Sequence, residues 1–223
     1  APVAALIPYE VVSPHGTRLD PYYWLRDDAR QQPDILAYLT AENDHFLAQS
    51  QVYAGLTDRL YGELVSRIPK NDATVPSKKG NYRYYARFVE GGEYPLFVRT
   101  PVRGGKEQIL LDGNVEAQGK NYSYIGARAI SANEQLMAYL EDDSGRLQYT
   151  LKIRNLKTGK NLPDTISGLS GSLAWANDNQ SLYYVENDPV TLLSTRVKRH
   201  VLGTDASQDV LIYEEKDNTF YLG

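Results

Sequence analysis

Apolar and polar positions recur in two different ways along this chain, and the change falls near residue 70. Before it the period is helical. Pro33 suits a first helical position, where its missing amide has no partner to lose. Ile35, Leu36, Leu39, Asn43, Phe46 and Leu47 then follow at helical spacing and form one mostly apolar stripe. A second helix is expected over residues 57–68, with Leu56, Leu60, Tyr61, Leu64, Val65 and Ile68 on one face. Pro69 stops it, and Gly62 inside it costs about 1 kcal/mol against alanine. Two amphipathic helices with no third layer cannot bury both stripes. This segment is therefore expected to dock on another surface.

Residues 69–79 (PKNDATVPSKK) carry two prolines and no period, and read as a linker. A domain boundary is expected near Asp72, giving segments 1–71 and 72–223, with Asn71 and Asp72 as the hinge. Beyond it the pattern is strand and turn throughout. Residues 82–89, 94–100 and 108–111 read as strands, and Glu90–Glu93 (EGGE) reads as a tight turn.

The strongest pattern is a repeat. Residues 127–140 (ARAISANEQLMAYL) return 45 positions later as residues 172–185 (SLAWANDNQSLYYV). Ile130 falls on Trp175, Met137 on Leu182, Tyr139 on Tyr184 and Leu140 on Val185, each copy followed by a glutamate. A strand-and-turn repeat of roughly 40–50 residues is the pattern of β-propeller blades, and it is favoured here over a β-sandwich with a chance match. Blades are expected over residues 81–114, 122–164 and 167–213, with residues 214–223 opening a fourth. Closed propellers need about four to eight blades. The expected fold is therefore mainly β: about three blades and the start of a fourth, preceded by an α-helical segment. More chain, or another chain, is expected to complete the ring.

In four-stranded meanders, the loops between second and third strands share one face. Here those loops bring Glu90 and Glu93; Glu141, Asp142 and Asp143; and Glu186 and Asp188 to one rim. Hydrated turns are the plain reading. The functional reading is a negative rim that favours cationic ligands.

Composition narrows the function by exclusion. A net charge of −4 and scattered Lys and Arg argue against a nucleic-acid footprint, and Arg196–His200 (RVKRH) reads as the outward face of a strand. No apolar run approaches the length of a membrane span. With no cysteine there is no thiolate nucleophile and no disulfide framework. The three histidines, His15, His45 and His200, show no metal-ligand spacing. Gly168-Leu169-Ser170-Gly171-Ser172 departs from a nucleophile elbow at its last position and lies at a blade junction. Glu141-Asp142-Asp143-Ser144-Gly145 lacks the alternating ligands of a calcium loop. No phosphate loop is present, and no cofactor is expected. The chain begins at Ala1, which fits a processed leader or an arbitrary start equally.

Asp20-Pro21-Tyr22-Tyr23-Trp24-Leu25-Arg26-Asp27 resembles the signature near the start of prolyl oligopeptidase-type serine peptidases. His15-Gly16-Thr17-Arg18, Tyr38-Leu39-Thr40-Ala41-Glu42-Asn43, Glu93-Tyr94-Pro95, Leu111-Asp112-Gly113-Asn114, Gln148-Tyr149, residues 171–178 (GSLAWAND) and residues 213–221 (YEEKDNTFY) extend the likeness to the oligopeptidase B branch of that family over nearly the whole chain. The resemblance implies an N-terminal helical segment packed on a C-terminal α/β-hydrolase domain, with a seven-bladed propeller between them. The family's Ser, Asp and His triad lies in that C-terminal domain, so no catalytic residue is assigned here and the chain is expected to be inactive alone. Oligopeptidase B-like members cleave short peptides after Arg or Lys, and the propeller restricts substrate size. Related bacterial members carry a Glu in the junction before the second blade and an Arg-Arg pair before Gln-Tyr, used in salt bridges that accompany closure. Here those positions are Asn121 and Arg146-Leu147, so a closing latch would be weakened or built differently. Glu141, Asp142, Asp143, Arg146 and Asn121 thus make the expected gating or interdomain face.

The partners implied are the hydrolase domain of the same polypeptide and short basic peptides, with neither nucleic acid nor membrane. The resemblance points to the cytoplasm, and the periplasm also suits a chain without cysteine. The competing reading is a non-catalytic propeller module that binds a peptide or protein partner.

Overall fold

In the computed structural model, which describes all 223 residues, the chain divides into two compact units, Ala1–Pro69 and Lys70–Gly223.

The first unit is built on aromatic contacts. Strands β1 (Glu10–Ser13) and β2 (Gly16–Leu19) form a hairpin. Tyr23 stacks on Tyr9 with ring centroids 4.1 Å apart. The Trp24 indole donates to the Ala5 carbonyl at 2.8 Å and meets Tyr38 edge-on. The run of aromatics around Trp24 thus finds partners on both sides of it in sequence. Helix α1 (Pro33–Ser50) opens at Pro33, and the Asp27 carboxylate accepts the backbone amides of Gln31 and Gln32 just before it. Helix α2 (Ala54–Ser66) lies about three residues toward the N-terminus of its expected span. It starts early because a single turn of 3-10 helix, Gln51–Tyr53, runs directly into it. It ends before Ile68, which precedes Pro69 and so disfavours helical backbone. Of the two stripes only Ile35 is buried; Leu36, Leu39, Phe46, Leu47, Leu60 and Leu64 stay exposed.

The second unit is mainly β and consists of two antiparallel meanders. Strands β3 (Ser77–Lys79), β4 (Tyr82–Arg87), β5 (Leu96–Pro101) and β6 (Gln108–Asp112) form one sheet in sequence order. After the single turn α3 (Gly113–Glu116), a second sheet takes β7 (Tyr124–Ile130), β8 (Leu136–Asp142), β9 (Tyr149–Asn155), β10 (Asn161–Trp175), β11 (Ser181–Asn187), β12 (Ser194–Val201) and β13 (Val210–Glu214), each paired with the next. The 45-residue repeat is visible in the register. Ile130 pairs with Met137 and Arg128 with Tyr139; one repeat later Trp175 pairs with Leu182 and Leu173 with Tyr184.

Three local expectations need correction. The linker is shorter than 69–79, because Ser77–Lys79 pairs with β4 and Ala73 bridges to Arg87. The junction expected between residues 164 and 167 is instead continuous strand. β10 pairs with β9 through its first half and with β11 through its second, turning at Gly168, whose φ of 75° suits glycine. Residues 215–223 form no strand: the Asp217 carboxylate turns the chain onto Thr219, and the Leu222 amide returns to the Ser194 carbonyl.

Strand β8 explains the continuous apolar run in its sequence. Both its faces are covered, as in strands at the centre of layered sheets. Met137 and Tyr139 pack with Phe97, Leu110 and Leu111 of the first sheet, whereas Ala138 and Leu140 pack with Leu151, Ile153 and Leu169. Each fully buried Leu, Ile or Met contributes about 1.5–3 kcal/mol, so this two-sided strand ties the meanders together.

Candidate functional site

The site predicted from sequence centres on the loop between β8 and β9. Strand pairing carries β8 through Asp142, so Glu141 and Asp142 are strand residues and not loop residues. Glu141 is 4% exposed and clamped between the ammonium groups of Lys120 and Lys152. Burial pushes its carboxyl up, but the two lysines more than reverse this and hold it below the ordinary glutamate value. Asp142 is fully buried. Its Oδ1 accepts from the Ser144 amide and hydroxyl and from the Gly145 amide, and its Oδ2 accepts from the Leu147 amide at 2.8 Å. Burial pushes this carboxyl up as well, and the hydrogen bonds outweigh it, leaving it lowered.

The acidic rim is therefore corrected. Glu141 is neutralised by its lysines and Asp142 is consumed in shaping its own loop. Glu186 is paired with Arg196 and Lys198, and Asp188 accepts the Val190 and Thr191 amides. Glu90 is exposed and reaches Lys70. Asp143 and Glu93 remain as exposed acids without an ion pair. The face carries far less free negative charge than its sequence suggests, because strand pairing turns the acids inward onto cross-strand cations.

The structure brings Asn121 and Arg146 into one neighbourhood. The Tyr122 ring lies 3.7 Å from where a Cβ on Gly145 would stand, so the two segments meet. Both Asn121 and Arg146 are exposed, and the Arg146 guanidinium has no ion-pair partner. Leu147, where the related pattern has a second arginine, is 63% exposed and holds a φ of 56°. Asn71 and Asp72 are exposed too, but Asp72 is tied into the second unit: its carbonyl accepts the Phe88 amide at 2.8 Å.

Beside Arg146 a cleft of about 470 Å³ opens between the β8–β9 and β11–β12 loops, with Tyr149, Ser170, Asn187 and Ser194 among its walls. The Tyr149 ring fits only because Gly126 has no side chain; a Cβ there would stand 2.8 Å from it. Asn187 donates to the Leu169 carbonyl and accepts from the Ser194 hydroxyl. The cleft offers amide, hydroxyl and guanidinium groups, which suit polar recognition of a peptide. No histidine lines it.

One polar cluster escaped the sequence reading. His200, 1% exposed, places Nδ1 at 2.8 Å from Asp209 Oδ1 and Nε2 at 3.1 Å from Asp164 Oδ1. Tyr184 donates to Asp209 Oδ2 at 2.7 Å, and the Gly203 amide donates to Asp164. Burial, then the Asp209 contact, pushes the Tyr184 hydroxyl well above the ordinary tyrosine value. The segment Arg196–His200 is thus not an outward face. Arg196, Lys198 and His200 point the same way, onto Glu186 and the two aspartates. The even spacing of those three cations was the available signal.

Two open antiparallel meanders, the second of which carries a blade-length repeat, preceded by a helical segment, define the chain as part of a β-propeller protein. Its sequence matches the prolyl oligopeptidase N-terminal β-propeller domain over residues 2–223, and the chain belongs to that family. It is 45% identical to dipeptidyl aminopeptidase BI of Pseudoxanthomonas mexicana, covering 100% of this chain and 33% of that protein. Among solved structures, oligopeptidase B from Leishmania major superposes with a TM-score of 0.92 at 32% identity, covering 99% of this chain and 33% of that one. Oligopeptidase B from Trypanosoma brucei, in a closed form with covalently bound antipain, gives 0.89 at 30% identity, covering 100% and 33%. The chain thus spans about a third of the length of the relatives it matches.

Proposed function

We propose that this chain is the gate of a serine peptidase that acts on short peptides. In this reading β3–β6, β7 with β8, β9 and the first half of β10, and the second half of β10 with β11–β13 are successive blades of a seven-bladed propeller. The exposed stripes of α1 and α2 would pack on an α/β-hydrolase domain of the same polypeptide, which would carry the Ser, Asp and His triad. The observation that carries the reading is the superposition on oligopeptidase B along 99% of this chain. Cleavage after Arg or Lys follows from that likeness, as does a cytoplasmic location. Asn121, Asp143 and Arg146 would lie on the face turned toward the catalytic domain, with Asn71 and Asp72 near the pivot.

The 45% identity to a protein named dipeptidyl aminopeptidase favours a second specificity, release of dipeptides from a free amino end. One experiment separates the two. The full-length protein is assayed on Arg-Arg amides, once with a blocked amino terminus and once with a free one. Turnover of both forms, quenched by a serine-reactive phosphonate, supports the oligopeptidase reading. Turnover of the free form alone supports the dipeptidyl reading. A full-length protein without any amidase activity would sink both and leave a propeller binding module.

A further inference from the structure

A second cleft, away from the β8–β9 loop, lies between the four-stranded sheet and β7 and holds about 340 Å³. Phe97, Leu110, Ile130 and Met137 form the apolar part of its wall, beside the polar side chains of Thr74, Ser77, Tyr84 and Tyr85. Two cations border it. Lys79, on β3, donates across to the Ile130 carbonyl at 3.4 Å. Arg128 lies two residues before Ile130, on the same side of β7, with its guanidinium 3.8 Å from the Phe97 ring centroid. Its Nη1 donates to the Ile125 and Gly126 carbonyls, and its Nε and Nη2 are left without a protein acceptor. No carboxylate lines the cleft. Desolvation with no acid beside it pushes the Arg128 guanidinium below its ordinary value.

We propose that this cleft binds an apolar carboxylate of the size of a C-terminal peptide residue, with the carboxylate held by Lys79 and Arg128 and the side chain lodged against Phe97, Leu110 and Met137. The volume falls within the usual range of small-ligand sites, which combine an apolar lining with a few fixed polar groups. A guanidinium with two free donors matches a carboxylate's two oxygens. The charge balance argues for an anion, because both cations lack an acid and one is partly desolvated. The apolar wall argues for a side chain attached to it. This assignment concerns binding in the β unit and does not depend on the proposed peptidase activity.

The test uses the full-length protein and two probes, N-acetyl-leucine and N-acetyl-leucinamide, titrated by calorimetry or by NMR at low salt. The carboxylate is expected to bind at least tenfold more tightly than the amide. Lys79→Gln, a change in an exposed side chain with one long contact, is expected to remove at least threefold of that preference. Lys79→Gln with Arg128→Gln should remove all of it. Where the Arg128 change lowers stability, Arg128→Lys, which keeps the charge, should restore part of the preference. Equal affinity for the two probes would overturn the proposal, as would a preference that Lys79→Gln leaves undiminished. Acetate or inorganic phosphate competing as well as N-acetyl-leucine would overturn the apolar half and leave only a simple anion site. Turnover by the same preparation is read separately, so failure of the peptidase reading leaves this outcome interpretable.

Discussion

Glu141 is the residue at which sequence and structure diverge most. In sequence it heads an acidic run that looks like a wet turn; in the fold it is a buried anion between two lysines that are about a quarter exposed. Its partners lie 21 and 11 residues away, so no local pattern announces them. Removing one member of a buried pair strands the others. Because Lys120 and Lys152 still reach water, the cost of Glu141→Gln should stay near 1–3 kcal/mol at neutral pH, measurable by urea unfolding. The pH dependence has a definite sign. The Glu141 and Asp142 carboxyls are both lowered in the folded state. Their contribution is fully present above the unfolded carboxylate values, about 4, and is lost as pH falls through the folded ones. Glu141→Gln should therefore flatten the acid limb of the stability profile as well as lower its plateau. An unchanged acid limb would assign it to other carboxylates. His200 is the harsher case: His200→Ala strips the imidazole from Asp164 and Asp209, both almost wholly buried, and leaves only the Gly203 amide and the Tyr184 hydroxyl on them. A loss of about 3–5 kcal/mol is expected, and a loss under 1 kcal/mol would mean that water fills the gap and satisfies them.

Among the elements, the β-hairpin turns carry a device that the repeat explains. Glu134 and Asn179 are one repeat apart, both with left-handed backbone (φ 62° and 59°). Each reaches back to the turn before it. Glu134 accepts the Asn81 amide at 2.7 Å and its side-chain nitrogen at 2.9 Å, and Asn179 accepts the Asn133 amide at 2.7 Å. The first contact requires Gly80, because a Cβ there would stand 2.1 Å from a Glu134 oxygen, and because its own φ is 57°. Gly80→Ala should cost roughly 1–3 kcal/mol through strain and the displaced carboxylate. In a Glu134→Ala background only the strain remains, so a double-mutant cycle should give a coupling of at least 0.5 kcal/mol; additive costs would deny the staple. The repeat and the strands around it were legible because period and register are local properties: Ile130 facing Met137 and Trp175 facing Leu182 follow from a turn of fixed length. Helix α1 was legible for the same reason, with Pro33 as its marker. The ends of α2, the continuity of β10 and the direction of Arg196, Lys198 and His200 were not. Each is decided by what packs or pairs against the segment, and that partner lies elsewhere in the chain.

For the whole molecule, the proposed gating role raises the question of how a face with little free charge would perform it. The inward acids leave Arg146 as the exposed, unpaired cation of the β8–β9 loop, presented on a rigid platform because Asp142 fixes the loop through four hydrogen bonds. In the gating reading, Arg146 meets an acid of the catalytic domain on closure, and Leu147 adds contact area where a second charge would otherwise stand. An exposed pair of this kind contributes about 0.2–1 kcal/mol and is screened by salt. In the full-length enzyme, Arg146→Ala should then lower kcat/KM for short basic peptides about two- to fivefold at low ionic strength, with the difference shrinking toward none near 0.5 M salt. Asp143→Ser should change kcat/KM less than twofold at any salt concentration, because a single exposed acid makes a weak filter. Steady-state kinetics of both variants across a salt series, with circular dichroism melts to show that each stays folded, checks the pair of expectations. A salt-independent loss in Arg146→Ala would mean that the arginine acts by contact within the Tyr149 cleft and not by attraction across domains. A large, salt-dependent loss in Asp143→Ser would restore the acidic filter on that single residue.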